Sequence, residues 1–220
     1  MKGSDNQAAF VAVIGSTGSG KSHFVKAVLA AKPPRLMIWD AMREYDHAGK
    51  VIKEKTADLV AHLRKVSGGD FAVVYQPRKD TESVMRDQFS IFCKAALAVR
   101  NVLLVVEEMA LVTKAGYSPP GWLEVVTGGR HYGVKVVGTS QRPALLDKTF
   151  FSNCTHIRVG KLTSAGDKKT IADAIDVPVD LLREVRPRQW VVKDLVNGEI
   201  SYEGFTPGQA AASAKKRRAR

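Results

Sequence analysis

The eight residues Gly15-Ser16-Thr17-Gly18-Ser19-Gly20-Lys21-Ser22 follow the spacing G-x-x-x-x-G-K-[ST]. Each residue type has a chemical reason. Glycines let successive backbone N–H groups turn inward around phosphate oxygens without a Cβ in the way. A helix beginning at the lysine would point its positive end at the same anion. Lys21 would face the β- and γ-phosphates, and the Ser22 hydroxyl would ligate a magnesium ion. The bland alternative is a glycine-rich turn with no ligand. The apolar run "FVAVI" just before the motif and the helical pattern just after it favour the cradle.

A second pair of residues completes the chemistry. "NVLLVVEEMALV" is a buried-strand pattern that ends in two adjacent carboxylates, Glu107 and Glu108. Paired acids are costly in a core, but at the carboxyl end of a strand beside a phosphate loop they have a use. Glu107 is expected to hold Mg²⁺ with Ser22. Glu at this place instead of the commoner Asp adds a methylene, which favours a water-mediated contact. Glu108 is expected to take the proton of a water attacking the γ-phosphate. A water-activating carboxylate indicates hydrolysis rather than transfer, and no N-K-x-D motif specifies guanine, so the expected nucleotide is ATP. A third element is "VKVVGTSQRP". Here a strand pattern ends in Gln141, an amide able to donate to and accept from a γ-phosphate or its attacking water. Pro143 then ends the ladder.

These residues need a scaffold that brings three strand ends together. Short apolar runs at Phe10–Ile14, Arg35–Trp39, Phe71–Tyr75, Val102–Val106, Val134–Val137 and His156–Val159 alternate with helical patterns at about 21–31, 56–66, 81–100 and 121–131. That alternation predicts an α/β fold, a mostly parallel sheet with helices on both faces. "GDKKTIADAI" adds a helix, and "QWVVKD" and "EISYEGF" around Asn197-Gly198 predict a C-terminal β-hairpin on a sheet edge. No linker marks a second domain. Residues 1–205 are therefore expected to form one nucleotide-binding domain, followed by a basic flexible tail at 206–220.

The 220-residue chain is 45% hydrophobic and 25% charged, with a formal net charge of +12. Such an excess points to a polyanionic partner. Lys215, Lys216, Arg217, Arg218 and Arg220 concentrate part of it in the tail, a candidate DNA-binding arm. Loops containing Arg78, Lys79 and Lys114 are further candidates for DNA contact, against the alternative of solvated loops. Cys93 and Cys154 stand without metal-ligand spacing and read as buried free thiols. No apolar run approaches the roughly 20 residues of a membrane span.

Taken together, "VVEE", "GGRHYGVKVVGTSQRP" and "LLDKTFFSNCTHIRVGKL" resemble the core of the FtsK–HerA superfamily of P-loop, RecA-like ATPases. The segment "IWDAMREYDHAG", with Asp40, Glu44 and Tyr45, resembles that family's D-P-x-x-E-Y segment. The resemblance spans about residues 10–170. It implies a homo-oligomer, a hexameric ring moving double-stranded DNA with ATP and Mg²⁺. It also implies a trans-acting arginine before the Q-R-P strand, at Arg130, with Arg142 as its rival. The short chain resembles genome-packaging ATPases of tailless, membrane-containing viruses and phages. Such an enzyme would act in the host cytoplasm or at a virion vertex, with a capsid-vertex or membrane protein as partner. A Zot-like assembly ATPase of filamentous phages, or a DNA-binding structural protein with weak ATPase activity, are the alternatives.

Overall fold

Strings of Val, Ile and Leu with no polar face form strands only where both faces are covered, and this sequence has six such runs. In the computed structural model, which describes residues 9–207, all six are strands of one sheet. They are β1 (Phe10–Ile14), β2 (Arg35–Trp39), β4 (Phe71–Gln76), β5 (Leu103–Val106), β6 (Lys135–Ser140) and β7 (His156–Val159). An additional edge strand, β3 (Lys50–Lys53), joins them, and β8 (Trp190–Asp194) and β9 (Ile200–Glu203) form the hairpin. The order is β3-β4-β2-β5-β6-β1-β7-β8-β9. The first seven strands run parallel, and the last two are antiparallel extensions beside β7.

The helices are α1 (Lys21–Ala30), α2 (Thr56–Val66), α3 (Glu82–Val99), α4 (Pro120–Gly128), α5 (Lys148–Asn153), α6 (Ala165–Ile175) and α7 (Val179–Glu184). They cover the two faces unequally. Helices α2 to α7 pack on a large core that includes Trp39, Tyr75, Phe89, Phe92, Trp122 and Phe150. Most of its rings meet edge-on or tilted, with Trp39 and Phe89 centroids 4.9 Å apart, while Phe89 and Phe92 stack. On the other face, Val25 of α1 joins a smaller cluster with Val13, Ile38, Val105, Val137 and Trp190. The helix expected over 121–131 is divided: α4 ends at Gly128, and Gly129–Tyr132 tightens into a 3-10 turn before β6.

The consequence for chemistry lies in the strand order. Strand β6 pairs with β5 on one side and with β1 on the other. The carboxyl ends that carry Gly15, Glu107 and Gln141 are therefore neighbours, at the position where ligands bind in such sheets. Cys93 and Cys154 are buried and unpaired, and burial pushes both thiols well above their usual range. Among the described residues, no helix is long and apolar enough to cross a membrane. The basic residues at 215–220 lie outside the described residues.

Candidate functional site

The phosphate loop runs from the end of β1 into α1. Gly20 caps α1 with φ 108°, a left-handed conformation that favours glycine. Gly15 is required for a different reason: a Cβ there would sit 2.5 Å from Ser19 Oγ. Lys21 leans back over the loop, its Nζ donating to the carbonyls of Gly15 (2.6 Å) and Ser16 (3.4 Å). Burial lowers its pKa, while Glu108, Glu107 and Glu44 act to raise it. The loop is braced from β7's exit, where Ser16 N–H donates to the Lys161 carbonyl (2.8 Å) and Thr163 N–H donates to Ser16 Oγ (3.0 Å).

Across from Lys21 lies a cluster of carboxylates. Asp40 is fully buried at the end of β2, where it accepts from the backbone N–H groups of Glu44 (2.9 Å) and Tyr45 (3.1 Å) and from Gln76 Nε2 (3.2 Å). It thereby folds the turn that carries Glu44. Glu44 Oε2 accepts from Ser22 Oγ at 3.1 Å. Glu107 is 7% exposed, and its Oε2 has no hydrogen-bond partner. Burial, then the charges of Glu44 and Asp40, push its carboxyl up to about 8. An orphaned, buried carboxylate oxygen beside a serine hydroxyl and a second carboxylate is an all-oxygen donor set, which fits Mg²⁺. Among the described residues, no group of three or more His, Cys, Asp or Glu side chains forms a metal cage.

Glu108 points to the other side. Its backbone is left-handed (φ 47°, ψ 65°), which is strained for a side chain of this kind. Its N–H donates to Thr139 Oγ1 (3.0 Å), and its Oε1 accepts from Gln141 N–H (3.2 Å) and Ser140 Oγ (3.4 Å). Gln141 then reaches the phosphate loop, its Oε1 accepting from Thr17 Oγ1 at 2.8 Å. An amide at the end of a valine-rich strand thus connects the carboxylate on β5 with the loop after β1. Lys21, Ser22, Glu44, Glu107, Glu108, Thr139 and Gln141 all line one cleft of about 330 Å³.

The arginines are placed otherwise. Arg130 Nη2 donates to the Asn153 carbonyl, and its guanidinium lies 5.1 Å from the Phe10 ring, at the amino end of β1. It is exposed but outside its own chain's cleft. Arg142 is exposed at the carboxyl end of β6, next to Gln141. Of the loop cations, Arg78 pairs with Asp80 (3.0 Å) and Lys114 with Glu82 (2.8 Å), while Lys79 is exposed. Sequence reading did not reach Thr139, His23, Met42 or Arg188, which also line the cleft. Thr139 and Met42 lie within the quoted segments but between the residues whose types signalled chemistry, and Arg188 comes from the turn before β8, far along the chain.

No protein-family profile matches the chain. Protein P9 of Pseudoalteromonas phage PM2 is 29% identical over 188 residues, 84% of this chain and 81% of that protein. Among solved structures, the genome packaging NTPase B204 of Sulfolobus turreted icosahedral virus 2, in complex with AMPPCP, superposes with a TM-score of 0.69 at 19% identity, covering 90% of this chain and 98% of that one. Its complex with sulfate gives 0.72 at 18% identity, over 90% and 97%. EssC (ATPases 2 and 3) of Geobacillus thermodenitrificans gives 0.53 at 14% identity, over 86% of this chain and 38% of that one. The chain has the P-loop NTPase fold of these proteins, the fold that the resemblance to the FtsK–HerA superfamily implied.

Proposed function

We propose that this chain is an ATPase that hydrolyses ATP to move double-stranded DNA during viral genome packaging. The observation that carries the hydrolytic reading is the bridge from β5 through β6 to the phosphate loop. Glu108 Oε1 accepts from Gln141 N–H at 3.2 Å, and Gln141 Oε1 accepts from Thr17 Oγ1 at 2.8 Å. Residues Gly15 to Ser22 would hold the phosphates through backbone N–H groups and Lys21. Ser22 and Glu107, with Glu44 beside them, would hold Mg²⁺, which supplies charge neutralisation on the phosphate oxygens. Glu108 accepts a proton from the attacking water as the new O–P bond forms at the γ-phosphorus. The bond to the β-phosphate oxygen breaks, and ADP and phosphate leave. Gln141 orients the water and senses the γ-phosphate. Arg130 of a neighbouring copy in a ring, or Arg142, would stabilise the transition-state charge.

The DNA part of the reading has separate support. The chain carries a net charge of +12, and the solved neighbour named as a genome packaging NTPase shares the fold over 90% of this chain. A viral packaging enzyme of this kind would work in the host cytoplasm or at a virion vertex.

The test is ATP turnover by purified protein with and without duplex DNA. Wild type is expected to hydrolyse ATP faster with DNA of any sequence. Lys21→Ala should lose binding or turnover. Glu108→Gln should bind ATP and lose at least about 100-fold in kcat, as expected when a general base is removed. Full turnover by Glu108→Gln would move the base, with Glu107 first in line. ATP hydrolysis indifferent to DNA would favour an assembly ATPase instead.

A further inference from the structure

Arg188 is a cation at the phosphate loop that the hydrolytic scheme does not use. It sits in the turn Arg186-Pro187-Arg188-Gln189 between α7 and β8, yet it lines the same cleft as Gly18, Gly20, Lys21 and His23. The turn is joined to the loop backbone to backbone. Arg188 N–H donates to the Ser19 carbonyl at 2.9 Å. A Cβ built on Gly20 would lie 3.6 Å from Arg188 Cα and 3.4 Å from the Trp190 ring, so the two segments are in direct contact.

The conformation of the turn is specified as well. Arg188 has φ 64°, in the left-handed region. That conformation costs an ordinary side chain on the order of 1 kcal/mol and persists where the surroundings hold it. Here the hold comes from the hairpin. Gln189 Oε1 accepts from Arg186 N–H (2.9 Å), and Gln189 Nε2 donates to the carbonyl of Gly204, just after β9 (3.1 Å). Trp190 anchors the start of β8 in the cluster beneath α1. Asn or Gly at position 188 would adopt this φ at lower cost. The sequence instead places a long, exposed arginine there, in the lining of the cleft at the phosphate loop.

Resting on the ATPase reading, we propose that Arg188 is a cis-acting nucleotide contact for the α- and β-phosphates, and that it couples the β8–β9 hairpin to nucleotide occupancy. The assignment to these phosphates follows from position. The groups arranged for water attack, Glu108 and Gln141, approach the loop at Thr17. Arg188 approaches at Ser19 and Gly20, in the backbone cradle that holds the α- and β-phosphates in such loops. A guanidinium presents a fork of N–H donors matched to paired phosphate oxygens, which an ammonium does not. Lys21 and Arg188 would then grip the polyphosphate from different ends, one shared by ATP and ADP and the other ending at the γ-phosphate. The hairpin becomes the part of the fold that registers whether any nucleotide is bound. Gln141 registers whether the γ-phosphate remains.

The experiment compares full-length wild type, Arg188→Asn and Arg188→Lys for equilibrium binding of Mg-ATP and Mg-ADP, together with steady-state turnover. Asn tolerates the left-handed backbone and removes the cation. Arg188→Asn should weaken both nucleotides by a similar factor of about ten, the loss of one charge-assisted pair. KM should rise with kcat held within about twofold, and Arg188→Lys should recover part of the affinity. Unchanged ADP affinity in Arg188→Asn, or a fall confined to kcat, would overturn the assignment. Wild type alone gives a second arm. Mg-ADP should slow amide hydrogen exchange across residues 186–204 as well as across the phosphate loop, and protection of the loop alone would overturn the coupling. The two readings fail differently: wild type that binds no nucleotide removes the ATPase reading, whereas Arg188→Asn that binds it as tightly as wild type removes only this one.

Discussion

Glu108 shows at the scale of one residue how a site can be arranged against stability. It adopts φ 47° at the end of β5, where any residue but Gly, Asn or Asp is disfavoured, in a cleft that Glu107 and Glu44 also line. Its return is one backbone hydrogen bond to Thr139 and two to the carboxylate, from Ser140 Oγ and Gln141 N–H, which hold the side chain toward the end of β6. Glu108→Asn removes charge and strain together, at the loss of two side-chain contacts. It should leave the protein equally stable or up to about 1 kcal/mol more stable, a rise of at most about 4 °C in unfolding temperature for a chain of this length, while turnover is abolished. Thermal unfolding beside an ATPase assay measures both. A variant less stable than wild type by more than about 1 kcal/mol would show that the hydrogen bonds outweigh the strain.

At the scale of elements, the loops and strands that meet at the cleft were legible because few uses demand such residue types at such spacing, whereas several supporting parts left no pattern. The phosphate loop, the acidic end of β5 and the amide end of β6 could be read because glycine spacing, paired acids and a strand-terminal Gln-Arg-Pro have few other uses. The edge strand β3, four residues with lysine at both ends, was missed. So short an alternation is indistinguishable from a loop, and its pairing with β4 comes from tertiary contact. Helices α5 and α7, six residues each, are below the length at which a helical period shows. The contribution of Arg188 was illegible because the turn reaches the loop only through the folded hairpin. One motif residue turns out to position elements. Asp147, in "LDKTFF", caps α5 by accepting from Thr149 N–H (2.9 Å) and accepts from the buried Trp122 Nε1 (3.0 Å), linking α4 to α5. Asp147→Ala removes the cap and leaves an indole N–H unpaired in the core. It should cost about 2–4 kcal/mol by chemical denaturation with ATP affinity retained. A loss of affinity without a loss of stability would place Asp147 in the site instead.

At the scale of the whole molecule the proposed function predicts a site shared between copies and a sequence-independent hold on DNA. Arg130 is tied in its own chain to the Asn153 carbonyl and the Phe10 ring, yet it is exposed, so it is available to a neighbour. Arg130→Ala should bind ATP and hydrolyse it poorly. Mixed with Glu108→Gln it should regain activity, since about a quarter of the interfaces in a mixed ring pair a wild-type glutamate with a wild-type arginine. If mixing restores nothing and Arg130→Ala is merely less stable, the residue serves the contact with Asn153. For DNA, Arg78 and Lys114 each hold a carboxylate in an exposed pair, which predicts a smaller contribution from these two loop cations than from the tail. A cation neutralised in cis releases few counterions on a phosphate, so Lys114→Ala should hardly change the slope of log affinity against log salt. The tail differs, with Lys215, Lys216, Arg217, Arg218 and Arg220 in a stretch that contains no acid. Removing residues 213–220 should weaken duplex binding and flatten the slope by up to about 4.5, the limit if all five cations sit on phosphates at 0.9 each. ATPase activity without DNA should be unchanged, because the phosphate loop and the residues lining the cleft all lie within residues 15–188. Fluorescence anisotropy of a labelled duplex across a salt series reads both effects. An unchanged slope after truncation, with the Lys114→Ala slope reduced, would move the DNA contact from the tail to the loops at the carboxyl edge of the sheet.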